Sequence, residues 1–137
     1  MSYVETLIRV APDSPTQTAI IPTAKDAKKT VAVLEYELLI VEPYTYTQDK
    51  AQFAVHAQHK NISEVELEAH LPELYAAFIA KSRACFRASP LPKKYGWGVH
   101  YDAQVRIALY AVESPEYERL SRLEGTKQLL AMRSARS

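Results

Sequence analysis

Apolar and polar residues alternate in four short stretches of the chain, and this alternation predicts β-strands. The stretches are Tyr3–Val10, Gln52–Gln58, Gly98–Tyr101 and Val105–Val112. The last two are separated only by Asp102-Ala103-Gln104, so they are expected to form a hairpin.

Helical spacing replaces this alternation between Ala24 and Val41. Apolar residues recur there every three or four positions, and Pro43 is expected to end the helix. Further apolar residues continue around the other side, which predicts a buried helix. The β-branched residues of the run leave a strand as the alternative. The positions on helical spacing are Ala24, Ala27, Val31, Leu34, Leu38 and Val41.

A second helix is expected from Ser63 to Ala80. Ser63 and Glu66 form a capping box, in which the hydroxyl and the carboxylate satisfy free N–H groups at the helix start. Pro72 lies inside the run, where it removes a hydrogen bond and crowds the preceding turn, so a kink or two short helices are expected.

The C-terminal part begins with a clear helix signal. Ser114 followed by Pro115 is typical of a helix start, and the helix is expected to end near Gly125. Thr126–Met132 fits either a strand or a helix, and residues 133–137 form a short basic tail. This irregular order of elements favours a single α+β domain, with two or three helices packed against a small antiparallel sheet.

Composition narrows the function classes. With 137 residues, 47% hydrophobic and 24% charged, the chain has the balance of an ordinary globular domain. Its net charge of +1 creates no overall field, so nucleic-acid binding would need a local basic patch. No signal peptide or membrane-spanning stretch is recognisable, so a cytoplasmic protein is expected. The candidate basic residues are Arg83, Arg87, Lys93, Lys94, Arg133 and Arg136.

Rare residue types are concentrated between Ser82 and Tyr110. Gly96, Trp97 and Gly98 follow a cluster of cations there. Free glycine N–H groups, with the side chains of Arg87 and Lys94, would bind a small anion. A rigid turn whose Trp97 fills the core is the simpler interpretation, because Gly, Pro and Lys are common in turns.

The predicted hairpin places His100, Arg106 and Tyr110 on one face, beside open space at Gly98. These side chains offer an imidazole, a cation and a phenol, so His100 is a candidate general acid–base acting on an anionic substrate. The default alternative is the solvated outer face of an antiparallel sheet.

Cys85 is the only cysteine in the chain, which excludes an internal disulfide. With His100 it would make a nucleophile–base pair, and Asp102 or Glu113 would orient the imidazole. Its apolar neighbours in sequence instead favour an inert buried thiol.

No residue spacing matches a metal site, and no metal or cofactor is expected. His56 and His59 would lie on opposite faces of the predicted strand, and His70 lies beside Glu66 on a charged helix. The apolar first helix also carries three acids, which would need partners if buried: Glu35, Glu37 and Glu42.

A set of short motifs is spread over almost the whole chain. They include Lys29-Thr30-Val31-Ala32, Tyr36-Glu37-Leu38-Leu39, Arg87-Ala88-Ser89-Pro90-Leu91, Lys94-Tyr95-Gly96-Trp97-Gly98 with His100, and Ala131-Met132-Arg133-Ser134. As a set they resemble an uncharacterised family of small bacterial proteins, classed as a domain of unknown function. The chain departs from the pattern at Lys50, where a second acid would follow Asp49. The resemblance implies no activity, substrate or cofactor.

Three functional hypotheses follow. The first is a cytoplasmic ligand-binding or protein-interaction module with a small-anion site, expected to be a homodimer. The second is a small enzyme in which His100 transfers protons, Tyr110 or Tyr95 assists, and Arg87 or Arg106 holds the substrate. The third is nucleic-acid binding through a local basic and aromatic patch.

Overall fold

The computed structural model describes residues 3–24, 29–81 and 83–133. Within these ranges a four-stranded sheet and five helices form an α+β fold, as expected from the sequence. The elements in chain order are β1 (Thr6–Arg9), α1 (Val31–Val41), α2 (Gln48–His59), α3 (Glu64–Ala80), a 3₁₀ turn (Phe86–Ala88), α4 (Pro90–Lys94), β2 (Trp97–Tyr101), β3 (Ile107–Ala111), α5 (Pro115–Arg122) and β4 (Lys127–Leu130).

The sheet has the strand order β3-β2-β1-β4. Strand β2 pairs antiparallel with both β1 and β3, so Val99 lies between Ile8 and Leu109. Strand β4 pairs parallel with β1, and the ambiguous stretch Thr126–Met132 is therefore a strand at its centre. The expected antiparallel sheet is confirmed, with one parallel edge added.

The two faces of the sheet are covered differently. One face forms the main hydrophobic core with α1, α2 and α4. The opposite face carries His100 and Tyr110, and α5 packs there with the Tyr117 ring over Gly98. The residues at the centre of the main core are Ile8, Leu39, Ala51, Phe86, Leu91, Val99, Tyr101, Ile107 and Leu109.

The prediction of a strand at Gln52–Gln58 is wrong, because these residues lie in helix α2. The Thr47 side chain caps its first turn by accepting a hydrogen bond from the Lys50 backbone N–H. The helix is covered on more than one side: Ala51 faces the main core, while Phe53 packs against rings of α3. Burial from several directions makes alternate positions apolar, and this imitates the pattern of a strand.

Helix α1 confirms the helical interpretation of its sequence, but it begins at Val31, where Thr30 is the N-cap. Residues 25–28 of the predicted helix lie outside the described residues. The expected burial on all sides is wrong, since Val41 is 73% exposed. Of the three acids only Glu35 is buried; Glu37 is exposed and pairs with Lys29 at 2.8 Å.

Helix α3 begins after Ser63, whose hydroxyl accepts the Glu66 backbone N–H at 3.1 Å, as the capping box predicts. The expected kink is present: His70 has non-helical angles (φ −131°, ψ 24°) two residues before Pro72. The helix rests on α2 through aromatic rings, and no residue of α3 is fully buried. It is therefore an outlying helix rather than part of the main core.

At the C-terminal end, Ser114 caps α5 as predicted, and the helix ends at Arg122, slightly before Gly125. Residues 134–137 of the expected basic tail lie outside the described residues. Over the described ranges, no helix has the length and apolar character needed to cross a membrane.

Candidate functional site

The cations of the expected anion site point to different parts of the protein. Arg87 ties the 3₁₀ turn to the end of β4: its Nε donates to the Leu130 carbonyl at 2.8 Å, and its own carbonyl accepts from Met132 N at 2.8 Å. Lys94 is exposed at the end of α4. The guanidinium of Arg87 thus already has a structural hydrogen-bond acceptor.

The glycines and the tryptophan of this segment are occupied by the protein's own packing. Gly96 has φ +78°, and a Cβ there would lie 2.8 Å from the Thr18 carbonyl oxygen. A Cβ at Gly98 would lie 2.5 Å from the Tyr117 ring. Trp97 is buried, and its Nε1 donates to the Ile20 carbonyl at 2.9 Å. The space that the sequence left open beside these glycines is therefore filled by protein atoms.

His100 belongs to a cluster of three polar rings on the α5 side of the sheet. The Tyr44 hydroxyl lies 2.8 Å from His100 Nδ1 and 2.8 Å from the Tyr110 hydroxyl. The three residues His100, Tyr44 and Tyr110 are called the His100 cluster below. His100 and Tyr110 share a face as the alternation predicted, but Tyr44 comes from the turn after α1. Its backbone has φ +60°, which is uncommon for a residue other than glycine.

The electrostatics of the His100 cluster favour neutral groups. Burial lowers the pKa of His100, and it raises the pKa of Tyr44, which the hydrogen bond to Tyr110 raises further. Three charged side chains also act on His100: Asp102 and Glu5 raise its pKa, and Arg119 lowers it. Arg119 of α5 therefore provides the nearby cation.

Arg106 does not fall within strand β3, because the strand begins two residues later than predicted. Val105 has φ +59°, and the Asp102 carboxylate accepts both Gln104 N and Arg106 N at 2.9 Å, which forms a tight turn. Arg106 is exposed and forms an isolated bridge with Thr47.

Cys85 lies on the opposite side of the sheet from His100. Its Sγ is 3.3 Å from the Tyr3 hydroxyl, and the Tyr3 ring packs edge-on against Tyr101. Because Tyr101 follows His100 in a strand, their side chains point to opposite faces. The two residues of the expected nucleophile–base pair are thus not brought together.

A second cluster of polar groups surrounds Glu35, which is 7% exposed. Glu35 Oε1 accepts the Ser89 hydroxyl at 2.7 Å, and Ser89 also caps α4 by accepting Leu91 N at 3.1 Å. Burial raises the pKa of Glu35 to about 7, although the hydrogen bond from Ser89 opposes the shift. A carboxyl with a pKa near neutrality is characteristic of functional sites.

Glu35 lines two neighbouring cavities of about 240 Å³ and about 160 Å³. Both cavities also share Val31 and Gln52 as lining residues. The two cavities and the residues around them are called the Glu35 pocket below. The larger cavity adds Val55, His56, His59, Phe78 and Arg83, and the smaller adds Ala84, Cys85, Phe86, Ala88, Ser89 and Pro90.

Arg83 is held at the wall of this pocket by several partners. Its guanidinium forms an ion pair with Asp49, its Nε donates to Gln52 Oε1 at 2.8 Å, and it lies 4.8 Å from the centre of the Phe78 ring. Gln52 Nε2 in turn donates to the Ala84 carbonyl at 2.8 Å. These bonds give the pocket a rigid polar edge.

His56 and His59 were expected to lie on opposite faces of a strand. They lie on helix α2, where residues three apart share a face, and both line the larger cavity. No group of three potential metal ligands occurs in residues 3–24, 29–81 or 83–133.

Some of these residues left a signal in the sequence and others did not. Glu35 was recognised as an acid that needs a partner, and Ser89-Pro90 has the same cap pattern as Ser114-Pro115. Tyr44 and Gln52 carried no comparable signal, because their roles depend on which distant elements meet.

Comparison with known proteins gives a family but no activity. No curated protein and no solved structure matches the chain. The family of unknown function DUF6157 matches it over residues 1–137, and the chain therefore belongs to that family.

Proposed function

We propose that the protein is a cytoplasmic module that binds a small molecule in the Glu35 pocket. The observation that carries this proposal is a buried carboxyl at the junction of two cavities. Burying a carboxyl costs stability unless it is fully paired, and Glu35 has a single hydrogen bond among the described residues. A residue that costs stability beside open space is better explained by a ligand than by packing.

The walls of the pocket suit a small organic ligand. Most of the wall surface is apolar, and a few polar groups with fixed orientation converge on the same space, which is the usual composition of a ligand site. Each cavity is smaller than the roughly 300 Å³ at which pockets for drug-sized ligands begin. The ligand is therefore a small metabolite, or one that spans both cavities.

The test is a fragment screen followed by nuclear magnetic resonance on the labelled protein. Binding in the pocket should shift the backbone signals of Gln52 and Ala84, which line its polar edge. Val31→Trp should fill both cavities, because Val31 lines each of them and is itself 37% exposed. The matched control is Val41→Trp at the exposed end of the same helix.

Fragments that bind the parent and the Val41→Trp variant should bind the Val31→Trp variant at least about tenfold more weakly, a loss of about 1.4 kcal/mol. Equal binding to both variants, or no fragment that shifts the pocket signals, would contradict the proposal.

A small enzyme that uses the His100 cluster is the second candidate. The observation in its favour is the Tyr44 hydroxyl, which contacts both other rings from a backbone with positive φ. A neutral imidazole with Arg119 nearby fits proton transfer on an anionic substrate. A panel of anionic substrates tests it: turnover should be lost in His100→Gln and kept in His70→Gln, where the histidine is exposed on α3. Turnover that survives His100→Gln would reject this candidate.

Self-association is a further part of the proposal. Helix α3 has no fully buried residue, and it exposes Val65 (78%) and Leu71 (48%). A homodimer through α3 would cover these side chains. Light scattering after size exclusion should give twice the chain mass for the parent and a lower mass for a Val65→Lys, Leu71→Lys variant; a monomeric parent would contradict this part.

A further inference from the structure

The hydrogen bonds of Glu35 define which of its atoms a ligand would meet. The Ser89 hydroxyl oxygen accepts a hydrogen bond from Leu91 N, and it donates its single proton to Glu35 Oε1, because an ionised carboxylate can only accept. Glu35 Oε2 makes no hydrogen bond among the described residues. In the described residues, the side-chain atom that is both fully buried and without a hydrogen-bond partner is Gln128 Oε1. Because Glu35 Oε2 also lacks a partner there, it must keep some accessible surface. One carboxylate oxygen is therefore free to accept a hydrogen bond from a ligand.

The guanidinium of Arg83 at the pocket wall already has partners within the protein. Arg83 is neutralised by Asp49 and donates to Gln52, so it does not compensate Glu35. Burial lowers the pKa of His56, and the nearby Lys60 lowers it further, so the imidazole is neutral at neutral pH. An ionised Glu35 thus gives the cavity a negative potential, and among the described lining residues no unpaired lysine or arginine cancels it.

This imbalance discriminates between ligands by charge. A carboxylate or phosphate in the pocket would face the Glu35 carboxylate across a short distance with low dielectric, which is unfavourable. A neutral alcohol would gain one ordinary hydrogen bond. An ammonium group would gain a charge-assisted hydrogen bond, about twice as strong, and would also relieve the cost of the buried charge.

We infer that the Glu35 pocket selects small ligands that carry a protonated amine over neutral or anionic ligands of the same size. The inference rests on the proposed function, since it names the ligand class of the same site. The ammonium donates to Glu35 Oε2, and the carbon chain lies along the apolar walls formed by Val31, Val55 and Phe86.

Three probes of equal length test this selection: n-butylammonium, 1-butanol and butyrate. Each is titrated at about pH 8, above the Glu35 pKa of about 7, while the signals of Gln52 and Ala84 are followed. The titrations are repeated on Glu35→Gln and on Glu37→Gln, which removes an exposed acid from the same helix. The folded state of each variant is checked by its own spectrum.

In the parent and in Glu37→Gln, butylammonium should bind about tenfold more tightly than butanol, and butyrate should bind least. In Glu35→Gln the preference for butylammonium over butanol should disappear, with butanol binding unchanged. If butyrate or butanol shifts the pocket signals at lower concentration than butylammonium, the amine selection is wrong and the proposed function stands. If neither the three probes nor larger fragments shift the signals of Gln52 and Ala84, the amine selection and the proposed function are both wrong.

Discussion

The buried carboxyl of Glu35 makes the stability of the protein depend on pH in a way that can be calculated. The ordinary pKa of a glutamate is 4.5, and burial raises it to about 7 in the folded protein. The folded chain therefore binds the proton more tightly than the unfolded chain. The contribution of Glu35 to the free energy of unfolding is therefore greatest below pH 4.5. It falls as the pH rises from 4.5 towards 7, and it stays constant above pH 7.

The size of the effect follows from the same two values. The difference between 4.5 and about 7, at roughly 1.4 kcal/mol per pH unit, gives a loss of about 3 kcal/mol between acid and neutral pH. Glu35→Gln removes this titration while keeping a side chain of the same shape that can accept from Ser89. Above pH 7 the variant should therefore be more stable than the parent.

Urea denaturation at a series of pH values from about 5 to about 8 measures the difference. The free energy of unfolding of the variant minus that of the parent should rise towards about 3 kcal/mol across this range. Glu37→Gln, which removes an exposed acid from the same helix, is measured in parallel as the matched control. The other titratable groups around Glu35 are common to both chains and cancel in the difference: Asp49, His56, His59, Arg83, Cys85 and Tyr101.

A difference that stays constant within about 0.5 kcal/mol from acid to neutral pH would refute the reasoning. It would mean that Glu35 ionises in the folded protein as easily as in the unfolded chain. The carboxyl would then be solvated or paired, and the electrostatic basis for the Glu35 pocket would be lost.

Three further substitutions test the packing described above. Gly98→Ala should lower the free energy of unfolding by about 1–3 kcal/mol, because the new methyl group would overlap the Tyr117 ring; an unchanged melting temperature would contradict that contact. Tyr44→Phe removes the central hydroxyl of the His100 cluster and should cost about 1–3 kcal/mol in urea denaturation, whereas a neutral result would mean that water replaces it. Arg83→Met leaves Asp49 unpaired and should cost about 2 kcal/mol, and Asp49→Asn in the same background should recover part of it if the ion pair is responsible.

The sequence allowed prediction of those elements whose signals are local. Ser63 and Ser114 mark helix starts through their own hydroxyls, and Pro72 produces a kink two residues earlier through its own ring. The shared face of His100 and Tyr110 follows from strand geometry alone. Such features need no knowledge of what packs against them.

Features that depend on distant contacts were not predictable in the same way. Helix α2 has the alternation of a strand because α3 covers it from outside while the main core covers it from inside. The Glu35 pocket brings together α1, α2 and residues 83–90, which are far apart in the chain. Glu35 was recognised as an acid in need of a partner, but Ser89 could be identified as that partner only from the fold.

The rare residues between Ser82 and Tyr110 show why an unusual composition need not mark a functional site. Strand β2 lies between β1 and β3, so Gly98 and Trp97 satisfy demands of packing in the middle of the protein. Polar groups in this segment have partners within the fold: Arg87 donates to Leu130, Trp97 donates to Ile20, and His100 is paired with Tyr44. A ligand needs the opposite, namely a polar atom that folding leaves without a partner beside open space. Within the part of the chain that the structure describes, Glu35 Oε2 meets that condition, and for this reason the proposed binding site lies on α1.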